Sequence, residues 1–143
     1  MPALRTPATR RTTDEGDSAG LISLFTQVAD WWELTVDERL TLLGGISRTT
    51  HFEWTHERPP RSLSIDQRQR IAHVVGIDVA THQFFGVRSE NARTYVRRPR
   101  TAPDGEHTAL QVMLTGLPGL ASVRHHLEVL CGGSAASLSR DRQ

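Results

Sequence analysis

Seven histidines and one cysteine are the residues of this chain with the chemistry to ligate a metal or activate a nucleophile, and their positions argue against both uses. His51, His56, His73, His82 and His107 stand apart, while His125 and His126 are neighbours. Adjacent side chains on a helix point about 100° apart, so no pair matches the HExxH spacing that sets two imidazoles and a base on one face. Cys131 stands alone, which excludes an internal disulfide and any CxxC zinc or redox motif; it reads as a small apolar residue near a helix end. No GxSxG elbow and no Cys/His signature is present, and Gly44-Gly45 and Gly132-Gly133 lack the lysine and spacing of a phosphate-cradling loop. These residues predict a protein that is not an enzyme and uses no metal and no cofactor.

Arginine is the other residue type with chemistry to offer. All 17 basic residues are arginine, set against 16 acidic ones, and the net charge of +1 gives the whole chain no field that favours nucleic acid or membrane. Charge therefore has to be read locally. Arg48, Thr49, Thr50 and Glu53 head a short helix that follows a glycine turn, the placement that presents side chains to a DNA major groove, and Arg58 and Arg61 just beyond suit phosphate contacts. Glu53 and Glu57 leave that stretch almost neutral, so a plain helical hairpin stays open beside the DNA reading. Arg88, Arg93, Arg97, Arg98 and Arg100 face only Glu90, five charges against one, with Tyr95 and Val96 interleaved. Such a cluster suits DNA phosphate or an acidic partner surface, or is simply a solvated face.

The elements that must position these residues read as helices. A length of 143 residues and 15.9 kDa fits one domain with tails, large enough to bury a core without metal or disulfide support. With 37% hydrophobic and 23% charged residues, no apolar run near ~20 residues and no apolar stretch of signal-peptide type in Met1–Gly20, a soluble cytoplasmic protein without membrane attachment is expected. Residues 1–17 read as a flexible arm. Ser18 is the expected start of a helix carrying Leu21, Ile22, Leu24, Phe25, Val28, Ala29 and Trp32 on one apolar stripe. Thr35-Val36-Asp37-Glu38 is a capping box for a helix that Gly44-Gly45 ends, and Ser47 caps a third that runs to about Trp54 before Pro59-Pro60.

Ser64-Ile65-Asp66-Gln67 is a second capping box, opening a helix with Ile71, Val74 and Val75 inward and Gly76 closing it, and Asp78 restarts another that carries Val79, Phe84 and Phe85 to Gly86. A helix from Ser89 stops before Pro99, and Arg97 to Gly105 reads as a basic, proline-punctuated connection. Leu110, Met113 and Leu114 before Gly116, then Pro118 with Leu120, Val123, Leu127 and Leu130 before Gly132-Gly133, complete the set. No segment alternates long enough to be a strand, so the expected fold is all-α with seven or eight short helices. Residues 134–143, small and polar, read as a tail, either disordered or ordering in a partner's cleft.

Taken in order, several pieces resemble the Xre/MbcA/ParS antitoxin family, which joins an Xre-like helix-turn-helix half to a C-terminal toxin-binding half. They are Leu42-Leu43-Gly44-Gly45-Ile46-Ser47-Arg48-Thr49-Thr50 leading to Trp54, and Leu63-Ser64-Ile65-Asp66-Gln67-Arg68 through Arg70-Ile71-Ala72 to Gly76-Ile77. Asn91-Ala92 before Arg97-Arg98-Pro99 follows, then Ala109-Leu110, Leu114-Thr115-Gly116, Gly119-Leu120, Val123-Arg124 and Leu127. The resemblance implies a helix-turn-helix region over 18–76 and a toxin-binding region over 77–133. It also implies an antitoxin of a type II system that neutralises a RES-domain toxin, an NAD-degrading or ADP-ribosylating enzyme encoded beside it, by blocking the NAD cleft.

Repression of its own operon through operator DNA, dimers, and larger toxin–antitoxin complexes belong to the same implication. The toxin-facing residues it suggests are Arg93, Arg97, Arg98, Arg124, Glu128, Gly132, Gly133 and Ser134. This chain departs from the family pattern in three ways: Tyr95 stands where many relatives carry tryptophan, His107-Thr108 replaces a Ser-Pro helix opening and so implies a weaker cap, and His51 and Phe52 sit within the recognition helix, where relatives vary. The tail after Leu130 is also longer. The alternative reading is a stand-alone helix-turn-helix transcription regulator whose C-terminal half dimerises.

Overall fold

In the computed structural model, which describes residues 6–102 and 105–141 and the side chains of 15–100 and 106–132, helices dominate from end to end. The order is α1 (Thr6–Trp31), α2 (Val36–Leu42), α3 (Arg48–Phe52) running on into a π-helical turn (Glu53–Glu57), and α4 (Ile65–Phe85). Then come α5 (Glu90–Thr94) with a 3-10 turn (Tyr95–Arg97), strands β1 (Pro99–Ala102) and β2 (Gly105–Thr108), α6 (Ala109–Met113) and α7 (Leu117–Asp141). Seven α-helices among the described residues agree with the expected helical fold. None of them is long and apolar enough to cross a membrane.

α4 is the central post, packed against α1, α5 and α7. Its Ile71, Val74 and Ile77 are fully buried, three apolar residues at helical spacing that meet Phe25, Val28 and Ala29 of α1 and Leu120, Val123 and Leu127 of α7 in one core. Burying side chains of this size stabilises the fold by about 1.5–3 kcal/mol each. The core runs from Ile22 to Leu127, so both halves of the chain share it.

Local capping reads through from sequence. Thr35 and Glu38 form a reciprocal box (Glu38 N–H to Thr35 Oγ1 3.1 Å, Thr35 N–H to Glu38 Oε1 2.8 Å), and Ser64 with Gln67 repeats it at the head of α4. Thr108 does the same with Gln111 at α6, at 2.8 and 3.0 Å, so the weaker cap expected there is a complete one.

Four expectations are corrected. α1 begins at Thr6 rather than Ser18, because polar residues carry a helix outward beyond the point where packing starts: Ser18 is buried, while Glu15, Gly16 and Asp17 are exposed. Residues 1–5 of the expected arm lie outside the described residues. α4 does not break at Gly76; Gly86, with φ of 104°, ends it, and the boundary drawn between 76 and 77 falls inside a continuous helix.

The connection after Arg97 is an antiparallel hairpin pairing Pro99 with Thr108 and Arg100 with His107. Four-residue strands are too short to show a period of two, and Pro99 sits at the first strand position, where a missing N–H is tolerated. Finally, α7 continues through Gly132-Gly133 to Asp141, so the expected separate tail is helical up to that residue. Residues 142–143 lie outside the described residues.

Candidate functional site

The sequence-nominated residues fall at three places. The first is the tip of α3. Leu42 and Leu43 are buried, and Gly44 and Gly45 turn the chain with φ of 97° and 82°, a region that strains residues with a Cβ. Ser47 then caps α3 by accepting from Thr50 N–H at 3.0 Å, which brings Arg48 and Thr49 to the surface with Glu53 beyond them. Arg48 is paired with Asp37 of α2, and the Thr50 hydroxyl accepts from Ser47 Oγ at 2.9 Å. Arg58 and Arg61 are exposed. Phe52, which the sequence places in the recognition helix without a contact of its own, is half-exposed on this surface and stacked on His56 with ring centroids 4.3 Å apart.

The second place is the arginine cluster, and here folding alters the electrostatics. Arg93 pairs with Glu90 and, at 3.1 Å, with Glu33, whose φ of 58° ends the α1 turn. Arg97 Nη2 donates to the Glu33 carbonyl and to Glu38 Oε1, both at 2.8 Å, and Nε reaches the Trp32 carbonyl at 3.4 Å. Arg98 donates to the Asn91 carbonyl and lies over the Phe85 ring; Arg88 lies over Trp31. Glu33 and Glu38, distant in sequence, thus consume much of the local positive excess.

Burial alone would raise the Glu38 carboxyl, but hydrogen bonds from Arg97 and the Thr35 N–H, with attraction to Arg97, hold it below the ordinary range. Its folded value lies below the unfolded one, so its contribution is complete above the ordinary glutamate range and is lost as pH falls through the folded value. Replacing Arg97 by methionine should cost about 1–2 kcal/mol in urea unfolding, because two backbone carbonyls and a carboxylate lose a donor. The Arg97–Glu38 coupling from a double-mutant cycle, up to about 1 kcal/mol, should vanish in acid.

The third place is the α4–α7 face. Arg124 Nε donates to Glu128 Oε1 at 2.7 Å, Nη1 reaches the Ala72 carbonyl at 3.4 Å, and the guanidinium lies across Gly76. A Cβ on Gly76 would sit 2.5 Å from Arg124 Nε, so this glycine is a close approach between two helices and not a helix end. His73, beside Arg124, is pushed down by burial and by that charge, with Glu128 opposing. Arg124 and Glu128 border a groove of about 420 Å³ whose apolar wall is Leu21, Leu24, Val75 and Val79. Leu24 and Val79 are 45% and 49% exposed. Sequence reasoning took α1 and α4 apolar residues as core, so it could not find this wall. Gly132 is exposed further along α7; Gly133 and Ser134 lie within that helix, with side-chain surroundings outside the described residues.

Among the described residues no group of three His, Cys, Asp or Glu side chains could hold a metal. The histidines have structural neighbours: His82 stacks on Trp31, its Nδ1 accepts from the Arg88 N–H at 2.8 Å, and Nε2 lies 3.3 Å from Asp78 Oδ1 without hydrogen-bond geometry. Burial raises the Asp78 carboxyl, with His82 and Arg88 opposing the shift. No family model matches the chain, and no solved structure does either. The uncharacterized protein y4oB of Sinorhizobium fredii is 32% identical over 132 residues, which is 90% of this chain and 99% of that protein. The chain belongs to the y4oB family. Because the match takes in nearly all of both chains, membership in the y4oB family concerns both the α2–α3 half and the α4–α7 face.

Proposed function

We propose that this chain is the antitoxin of a type II toxin–antitoxin pair, a protein that neutralises a RES-domain, NAD-consuming toxin by covering its substrate cleft. The resemblance of the ordered pieces from Leu42 to Leu127 leads to this reading. The observation that carries it here is the apolar groove between α1, α4 and α7, bordered by Arg124 and Glu128, two of the residues the resemblance assigns to toxin contact. A groove with an apolar floor and a fixed charge pair at its edge can exclude substrate through shape and charge complementarity alone. Binding of operator DNA through the α3 tip is the second activity of the same proposal, supported by the exposure of Thr49, Arg58 and Arg61. Self-association as a dimer belongs to it as well.

Co-expression with a RES-domain protein encoded next to this chain tests the proposal. Growth rescue, restored NAD and a co-purifying complex are expected. A toxin that stays fully active and does not co-purify overturns it. Val79→Asp places a charge in the groove at a half-exposed position, so stability should move by no more than about 0.5 kcal/mol. Toxin affinity, measured by titration calorimetry, should fall at least about tenfold, equivalent to about 1.4 kcal/mol.

A further inference from the structure

We propose that the cleft between the β1–β2 hairpin and α7 binds a small oxyanion-bearing ligand, a phosphate or carboxylate compound held by Arg100. This site is separate from the groove and from the α3 tip. The cleft measures about 300 Å³ and is lined by Arg100, His107, Thr108, Ser122, Val123 and His126, among others. That volume lies at the small end of ligand pockets. Its polar wall carries one guanidinium, two imidazoles and two hydroxyls, and none of its described lining residues is acidic.

The hairpin register sets Arg100 directly opposite His107, and Thr108 caps α6 at the cleft edge, so the wall is built on hydrogen-bonded elements and not on a loose loop. Arg100 lies with its guanidinium carbon 4.3 Å from the centre of the Tyr95 ring. The ring occupies one face of the planar group and leaves its in-plane N–H edges for hydrogen bonding, the geometry that matches a carboxylate or phosphate.

Arg100 Nη2 is buried and has no hydrogen-bond partner. Native structures seldom leave a buried polar nitrogen unsatisfied, and for a cation the cost is higher still. Nη2 itself is sealed from solvent, and it is the rest of the half-buried Arg100 side chain, which lines the cleft, that an anion there meets. Burial also pushes Arg100 below the ordinary arginine range, a sign of the low local dielectric in which attraction to an oxyanion strengthens.

Thermal unfolding of the full chain in inorganic phosphate, in acetate and in chloride at equal ionic strength tests the proposal. A saturable rise in Tm in phosphate or acetate relative to chloride is expected, and which of the two acts separates phosphorylated from carboxylated ligands. Arg100→Gln should abolish the response. His126→Gln, at an exposed position, should keep the ligand-free Tm and weaken the midpoint at least threefold. Equal Tm in all three salts overturns the proposal, as does a response that survives Arg100→Gln. Should Arg100→Gln fail to fold, an unchanged midpoint in both His126→Gln and Ser122→Ala overturns it equally. A shift given by duplex DNA but by neither phosphate nor acetate also counts against a small-ligand site.

Discussion

Replacing Trp32 with alanine should lower the unfolding free energy by about 3–5 kcal/mol, the range for removing a fully buried large aromatic side chain. Trp32 is 1% exposed and lies where the end of α1 meets the rest of the core, and Arg97 crosses the chain to hydrogen-bond its carbonyl. The cavity left by the indole cannot be refilled from one side, because α1 is held by its own ladder and α4 by the packing of Ile71, Val74 and Ile77. For a chain of this length the change corresponds to roughly 10 °C in Tm. Trp32→Phe is the informative control. The indole Nε1 makes no hydrogen bond, so phenylalanine forfeits volume but no polar interaction, and a loss of about 1.5 kcal/mol or less is expected. Chemical denaturation followed by far-UV circular dichroism measures both; a Trp32→Ala loss no larger than the phenylalanine loss would place Trp32 outside the cooperative core.

What the sequence disclosed about this fold is the part governed by near neighbours. Thr35 with Glu38 and Ser64 with Gln67 satisfy each other's backbone amides within three residues, so the start of each helix is written locally. The turn at Gly44-Gly45 is legible for the same reason. Gly76 and Gly132 carry the same residue type with a different meaning. Gly76 makes room for Arg124, a residue on another helix, and nothing near it in sequence announces that. Gly132 has open space around it and simply lies within α7. The β1–β2 hairpin escaped because its strands are shorter than the pattern that would reveal them.

Charge shows the same division. The arginine excess between 88 and 100 is real along the chain, yet Glu33 in the turn after α1 and Glu38 of α2 arrive to pair with Arg93 and Arg97. Arg124 and Glu128 stand one helical turn apart, so their mutual contact is visible from spacing. Their place beside Leu24 and Val79 depends on how α1, α4 and α7 pack and is not. A site made of side chains from three helices becomes readable only after the core that sets their spacing is known.

Gly119→Ala offers the sharpest test of that packing because two effects of opposite sign compete. Within a helix, alanine is favoured over glycine by about 1 kcal/mol, so a slack α6–α7 contact would make the variant more stable. The geometry excludes that outcome. A Cβ on Gly119 would lie 2.0 Å from the Val112 carbonyl oxygen, 2.5 Å from Thr115 Oγ1 and 3.0 Å from the Val112 carbonyl carbon. The first and last of these atoms are backbone, and the Thr115 hydroxyl is itself donating to that carbonyl at 2.6 Å, so no flexible side chain can yield to relieve the overlap. α6 must move away from α7, which opens the packing of Leu110 and Met113 against Leu120 and Val123. A net loss of about 3 kcal/mol is expected even after the gain in helix propensity. Amide exchange should locate the damage, with protection falling first in α6 and the adjoining β2 strand while the centre of α4 keeps its own. A Gly119→Ala protein as stable as the parent, or more so, would mean that α6 does not approach α7 this closely and would remove the support on which the Arg100 cleft stands.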